Sequence, residues 1–139
     1  MHHFPLQLNL RIDWSELDLF GHVNNVSFIK YVQSSRVNYW EKIGLSQLFD
    51  ETKVGAILAS TACQFRLPLF YPGEITVQVR CEFIKTTSFG LQHQILNQDG
   101  EIAAEAHDVM VMYDFNKHQK VPFPEHLKKA IQELERSKF

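Results

Sequence analysis

Ten consecutive residues, Glu16-Leu17-Asp18-Leu19-Phe20-Gly21-His22-Val23-Asn24-Asn25, hold the densest set of groups able to do chemistry. Asp18 supplies a carboxylate shortly before a helix start, and Gly21 lets backbone approach a ligand closely. The amides around Val23 to Val26 would be unpaired donors at the positive end of a helix dipole. Such donors suit an oxygen that gains negative charge during acyl transfer. A carboxylate beside them can act as nucleophile or as general base toward water. The same residues also have a purely structural use, with Asp18 capping a loop and Asn24 and Asn25 capping a helix.

Little competes with that cluster. His93 sits among apolar strand positions and reads as a satisfied core histidine. His2, His3, His107, His118 and His126 lack a metal-ligand spacing such as HExxH, and neither GxGxxG nor GxxxxGK occurs. No metal and no cofactor is therefore expected. Cys63 and Cys81 form no CxxC and read as buried free thiols of a reducing compartment.

The elements that must position the cluster follow from periodicity. Residues 5–14 alternate, with Leu6, Leu8, Leu10 and Ile12 on one face. From Val26 to Ile43 the period becomes helical: Ile29, Val32, Arg36, Trp40 and Ile43 form a stripe that Phe28, Tyr31 and Val37 widen. Gly44 is placed to close that helix as a left-handed cap. Strands are expected over 54–66, with Ile57, Ala59, Thr61, Cys63 and Phe65 on one face, and over 74–85, 88–96 and 101–114. Tyr71-Pro72-Gly73 and Asp99-Gly100 mark turns, and Pro124 suits the first turn of a last amphipathic helix. The order β-α-β-β-β-β-α predicts an α+β domain over residues 1–139, an antiparallel sheet curled around the early apolar helix.

Composition is consistent with this. The chain has 139 residues and a net charge of −2, with no basic stripe for nucleic acid or polybasic patch for a membrane. No stretch approaches the roughly 20 apolar residues of a membrane span, and the N-terminus lacks an apolar signal region. A cytoplasmic protein is the expectation. Eleven Phe, four Tyr and two Trp suggest a thick core, an apolar ligand site or an extensive subunit interface.

The segment Trp14 to Arg36 resembles the 4-hydroxybenzoyl-CoA thioesterase branch of the hotdog-fold superfamily. Trp14, Glu16, Asp18, Gly21, His22, Val23, Asn24 and Asn25 match its motif, followed by Phe28, Tyr31 and Arg36 on the helix. The run Glu16 to Asn25 is similar to that of bacterial long-chain acyl-CoA thioesterases. Leu67-Pro68 to Pro72-Gly73 and Lys85 to Phe89 also match in position and type, so the resemblance covers nearly the whole chain. Two departures stand out: Glu16 replaces the first Asp, and Gln33 replaces a helix glutamate that one branch uses as nucleophile.

The resemblance implies a hotdog fold and hydrolysis of an acyl-CoA thioester to a carboxylic acid and free coenzyme A. Asp18 falls on the family's catalytic aspartate, and the Asn25 backbone amide on the group that polarises the carbonyl. His22 orients substrate or holds the loop, and Gly21, Val23 and Asn24 shape the substrate-binding turn. Ser88 falls where a hydroxyl sits near the partner subunit's site. Arg66, with Lys85 and Arg80, either meets coenzyme A phosphates or lies on a solvated strand face, and Arg36 reads as a paired structural cation. The partners implied are acyl-CoA and further copies of the chain, as a homodimer or homotetramer. Three alternatives remain. A hotdog dehydratase would want His and a carboxylate cooperating from the helix, where residues 26–43 offer only Glu41, near the far end. An acyl-carrier-protein thioesterase of the plant type has Asn where this chain has Phe20, and a non-catalytic acyl-CoA-binding protein would have no need of Asp18.

Overall fold

Alternating strands and one long apolar helix leave few ways to bury their faces, and the chain uses the expected one. The computed structural model describes residues 3–137 and 139, so what is expected of Met1 and His2 lies outside the described residues. In chain order the elements are β1 (Leu6–Arg11), α1 (Asn25–Ile43), α2 (Leu45–Thr52), β2 (Val54–Phe65), β3 (Glu74–Ile84), β4 (Ser88–Leu96), β5 (Ile102–Asp114), β6 (Gln119–Lys120) and α3 (Glu125–Glu135). A single 3-10 turn, Trp14–Glu16, precedes the loop that leads into α1. The sheet runs β1-β3-β4-β5-β2, all neighbours antiparallel, with short β6 paired to the end of β5. It is the curled antiparallel sheet with a helix against it that defines a hotdog fold.

α1 lies against the inner face of the sheet and turns Phe28, Tyr31, Val32, Ser35, Arg36, Tyr39 and Ile43 into the interior. This stripe is rotated from the expected one. Val37 stays exposed and Ile29 and Trp40 are half-buried, because the sheet covers the Tyr31–Ser35–Tyr39 line as well as Val32, Arg36 and Ile43. Two apolar clusters result. One joins the first half of α1 to Ile12, Ile75, Val77, Ile95 and the small floor of Ala103, Ala104 and Ala106. The other joins Tyr39, Ile43 and Leu45 to Val79, Leu91, Met110, Met112 and the C-terminal helix residues Leu127 and Ile131.

Gly44 adopts φ +90° as expected, and its amide bonds back to Glu41 and Trp40 carbonyls. Its turn also opens α2, an element the sequence reading leaves unassigned. A second departure lies in β2, whose register shifts between Leu58 and Ser60. The bulge at Ala59 breaks the expected single face: Ile57 pairs with Val111, whereas Thr61 pairs with Asp108 and reaches inward. β2 is also the sheet's edge, and Ile57, Leu58 and Phe65 are exposed along it. Cys63 and Cys81 are free thiols, and burial pushes the Cys81 pKa up to about 12. Among the described residues no helix is long and apolar enough to cross a membrane.

Candidate functional site

The loop between the 3-10 turn and α1 is fixed mainly by its own backbone. Asp18 N–H donates to the His22 carbonyl at 2.7 Å, and Gly21 N–H returns to the Asp18 carbonyl at 3.2 Å. Gly21, at φ +81°, supplies the left-handed step this tight turn requires. One carboxylate oxygen of Asp18, Oδ1, accepts from the amides of Phe20 at 2.8 Å and His22 at 3.1 Å. The capping use of Asp18 is therefore real. It occupies one oxygen and leaves Oδ2 with no protein partner among the described residues.

The rest of the loop delivers the helix start. Val23 bridges Leu17 and donates to the Leu69 carbonyl at 2.9 Å, while His22 bridges Phe70 and sets its ring edge-on to that of Phe70 at 5.0 Å. Asn24 is the N-cap: its amide donates to the Glu16 carbonyl at 2.9 Å and its Oδ1 accepts from Ser27 N–H at 2.8 Å. Asn25 is thus the first helical residue and not a cap. Among the described residues its amide has no acceptor, as expected at the positive end of a helix.

Asp18, His22, Val23 and Asn25 line one cleft of about 310 Å³. Its other wall is the end of β2 and the following turn, Phe65 to Pro68, with Phe28 of α1 meeting Phe65 edge-on at 5.1 Å. Arg66 is half-exposed in this wall and pairs loosely with Glu105 at 3.5 Å. Carboxylate, helix amide, imidazole, guanidinium and apolar wall therefore share one open space. Gly21 and Asn24 shape the turn without lining that cleft.

Other expected residues lie elsewhere. Ser88 begins β4, opposite Val111, and is not in the cleft of its own protomer. Lys85 lies over the Phe83 ring, and Arg80 is held by Gln92 and Glu82 on the outer sheet face. Gln33 is exposed on α1, lining a different groove with Leu8 and Glu41.

Glu16 is a functional-looking acid with a structural task. It is buried, and its Oε1 accepts from the Asp13 amide at 2.8 Å and from the Tyr31 hydroxyl at 2.7 Å. Burial and this carboxylate hold the Tyr31 hydroxyl protonated, its pKa raised above 10. Glu16 thereby ties the loop to α1.

A larger polar cluster is absent from the sequence reading as a unit. Arg36 donates to both oxygens of Asp108, at 2.9 and 3.2 Å, which confirms its structural pairing. Asp108 also accepts from Thr61 Oγ1 at 2.7 Å and from His93 Nε2 at 2.7 Å, and His93 Nδ1 lies 2.9 Å from Ser35 Oγ. Burial disfavours the Asp108 charge, but the bonds from His93, Arg36 and Thr61 outweigh it and hold the pKa at about 2. Burial likewise lowers the His93 pKa. With Asp108 ionised and His93 neutral, Nε2 donates to Asp108 and Nδ1 accepts the Ser35 proton. Ser35, His93 and Asp108 thus follow the order of a catalytic triad, yet Ser35 and His93 are 0% exposed. No substrate reaches them. The available signal was parity: Asp108 occupies an inward position between Ala106 and Met110.

At the opposite end of α1 lies an apolar pocket of about 290 Å³ walled by Trp40, Leu45, Phe49, Gly55, Ala56 and Phe115. The sequence gives no sign of it, because α2 builds one wall.

Comparison with known proteins bears on the fold and the family. The chain is 24% identical over 120 residues to the uncharacterized protein YsmA of Bacillus subtilis, covering 86% of this chain and 80% of that one. It is similar to a Thermus thermophilus thioesterase solved with coenzyme A and Zn, at TM-score 0.87 and 26% identity, covering 100% of both chains. Among the described residues here, no group of three or more His, Cys, Asp and Glu could hold a metal ion. A 1,4-dihydroxy-2-naphthoyl-CoA thioesterase from Synechocystis shares the fold at TM-score 0.79 and 15% identity, over 90% of this chain and 93% of that one. A sequence model of one family matches residues 12–131, and by that match the chain belongs to the thioesterase-like superfamily.

Proposed function

We propose that this protein is an acyl-CoA thioesterase, converting R-CO-S-CoA and water to R-COOH and free coenzyme A, with Asp18 as its catalytic carboxylate. One observation carries the reading: Asp18, with an unengaged Oδ2, and the unpaired Asn25 amide line the same cleft. The amide stabilises the carbonyl oxygen as charge develops on it. Asp18 Oδ2 either attacks the carbonyl carbon, expelling the coenzyme A thiolate and leaving a mixed anhydride that water hydrolyses, or takes a proton from the water that itself displaces the thiolate. His22 orients the thioester at the cleft wall, and Arg66 offers its guanidinium to a coenzyme A phosphate.

A second copy of the chain belongs to the same reading. β2 exposes a free edge twelve residues long without one charged side chain, and such an edge is a template for another strand. Antiparallel pairing about its midpoint sets Gly55 of one copy near Phe65 of the other. The Trp40–Phe115 pocket of one protomer then adjoins the Asp18 cleft of its partner and offers apolar room for the acyl group. Ser88 reaches a site only through such an assembly.

The test is a panel of alkyl- and aryl-CoAs incubated with the protein and a thiol-reactive dye, alongside the matching acyl-carrier-protein thioesters. Thiol release from coenzyme A esters supports the proposal. Release only from carrier-protein esters would move the substrate class, and binding without release would make this an acyl-CoA-binding protein.

A further inference from the structure

Asp108 touches both elements whose ends form the walls of the cleft. α1 reaches it through Arg36, near the middle of the helix and bonded to both carboxylate oxygens, and carries Asn25 and Phe28 at its N-terminal end. β2 reaches it through Thr61, bonded at 2.7 Å, and carries Phe65 four residues further on, followed by Arg66. His93 and Ser35 close a second path from the same carboxylate back to α1, by way of β4.

The surroundings explain why a directional tie matters here. The network lies between the two apolar clusters of the interior. Under the first half of α1 the floor is Ala103, Ala104 and Ala106, small residues that leave a helix little to interlock with along its axis. Apolar contact is non-directional and tolerates axial sliding. Hydrogen bonds of fixed length do not, and a bidentate guanidinium–carboxylate pair adds angular precision. Moreover, a buried ion pair is weak support for stability, so its stronger use is to specify one arrangement.

We infer that Asp108 is a positioning residue for hydrolysis: through Arg36 and Thr61 it sets α1 and β2 against a common reference and so holds the two cleft walls in register. This rests on the thioesterase reading. Asp18 and the Asn25 amide act on the thioester, while Asp108, 0% to 1% exposed like its partners His93 and Ser35, touches no substrate. A misplacement of about 1 Å at a reacting group can cost about a hundredfold in rate, so a small slip of either element is enough.

Thr61→Val tests this mildly, because it keeps the side-chain shape and β propensity and removes only the β2 tie. Ser35→Ala removes the tie through His93. Each variant is compared with wild type for kcat and KM on an active acyl-CoA, for molar mass by light scattering, and for amide hydrogen exchange. The expected result for Thr61→Val is a fall in kcat of about tenfold with KM within about twofold, unchanged molar mass, and recovery in Thr61→Ser. Exchange should rise together in 23–28 and 65–68, the two walls. Wild-type kcat with unchanged exchange at both walls in both variants would overturn the inference. If wild type hydrolyses no acyl-CoA, the thioesterase reading fails, and the exchange measurement still decides whether Asp108 registers the walls.

Discussion

Asp18 and Asp108 are both aspartates held by several hydrogen bonds, and they differ in what is left over. Asp108 is buried and saturated: Arg36, Thr61 and His93 occupy both oxygens. Asp18 is exposed at a cleft mouth, and its two amide donors share a single oxygen. A saturated buried carboxylate is a joint. A carboxylate fixed through one oxygen is oriented and still has an oxygen for chemistry. The same distinction separates Glu16, whose Oε1 is engaged by Asp13 and Tyr31 and whose Oε2 meets Lys30 Nζ at 3.4 Å, from Asp18 two residues later. On the proposed reading, engagement of the second oxygen, and not acidity or position in the motif, separates the two roles.

The largest expected effect from breaking this comparison is on stability. Asp108→Ala strands the Arg36 charge in the interior, and loss of one member of a buried pair typically costs about 3–5 kcal/mol. Denaturant unfolding measures it, and a loss under 1 kcal/mol would show that the joint is not needed for folding. Next comes acid sensitivity. The folded His93 pKa lies below 6.5, so the unfolded chain takes up a proton first as pH falls. Stability from this group is complete above 6.5 and declines as pH drops below it. Asp108 adds to the loss only between 3.8 and about 2. Glu135 has the opposite sign: burial raises its pKa above 4.5 and outweighs the bonds from the Cys81 amide and the Tyr39 hydroxyl, which lower it. Thermal midpoints measured from pH 8 to 5 should therefore fall below 6.5 in wild type, and fall less in His93→Gln. The smallest effect belongs to the helix cap: Asn24→Ala loses the bond to Ser27 and about 1 kcal/mol. Calorimetry reads that change, with a detectable loss of turnover because the Asn25 amide frays.

Legibility in the sequence followed the same division. Strand alternation placed β1, β3, β4 and β5, since one buried face imposes a period of two on Ile75, Val77, Val79 and Cys81. The motif placed Asp18, His22 and Asn25 in one cleft, because they are local in sequence and the loop is closed by its own backbone. Non-local relations were not legible. Arg36 and Asp108 are 72 positions apart, and nothing in either segment names the other. The Ala59 bulge turns Ile57 outward without any marker residue, and α2 is a short helix hidden behind a glycine that reads as an end.

Asp18→Asn, assayed for single-turnover thioester hydrolysis and thermal midpoint on one preparation, tests the central claim most directly. Asn keeps an oxygen for the Phe20 and His22 amides and removes the nucleophilic, basic one. The account predicts a fall in the hydrolysis rate of about a hundredfold or more with a nearly unchanged midpoint. A protein that keeps its rate and loses about 1 kcal/mol of stability would make Asp18 a loop cap and contradict the account.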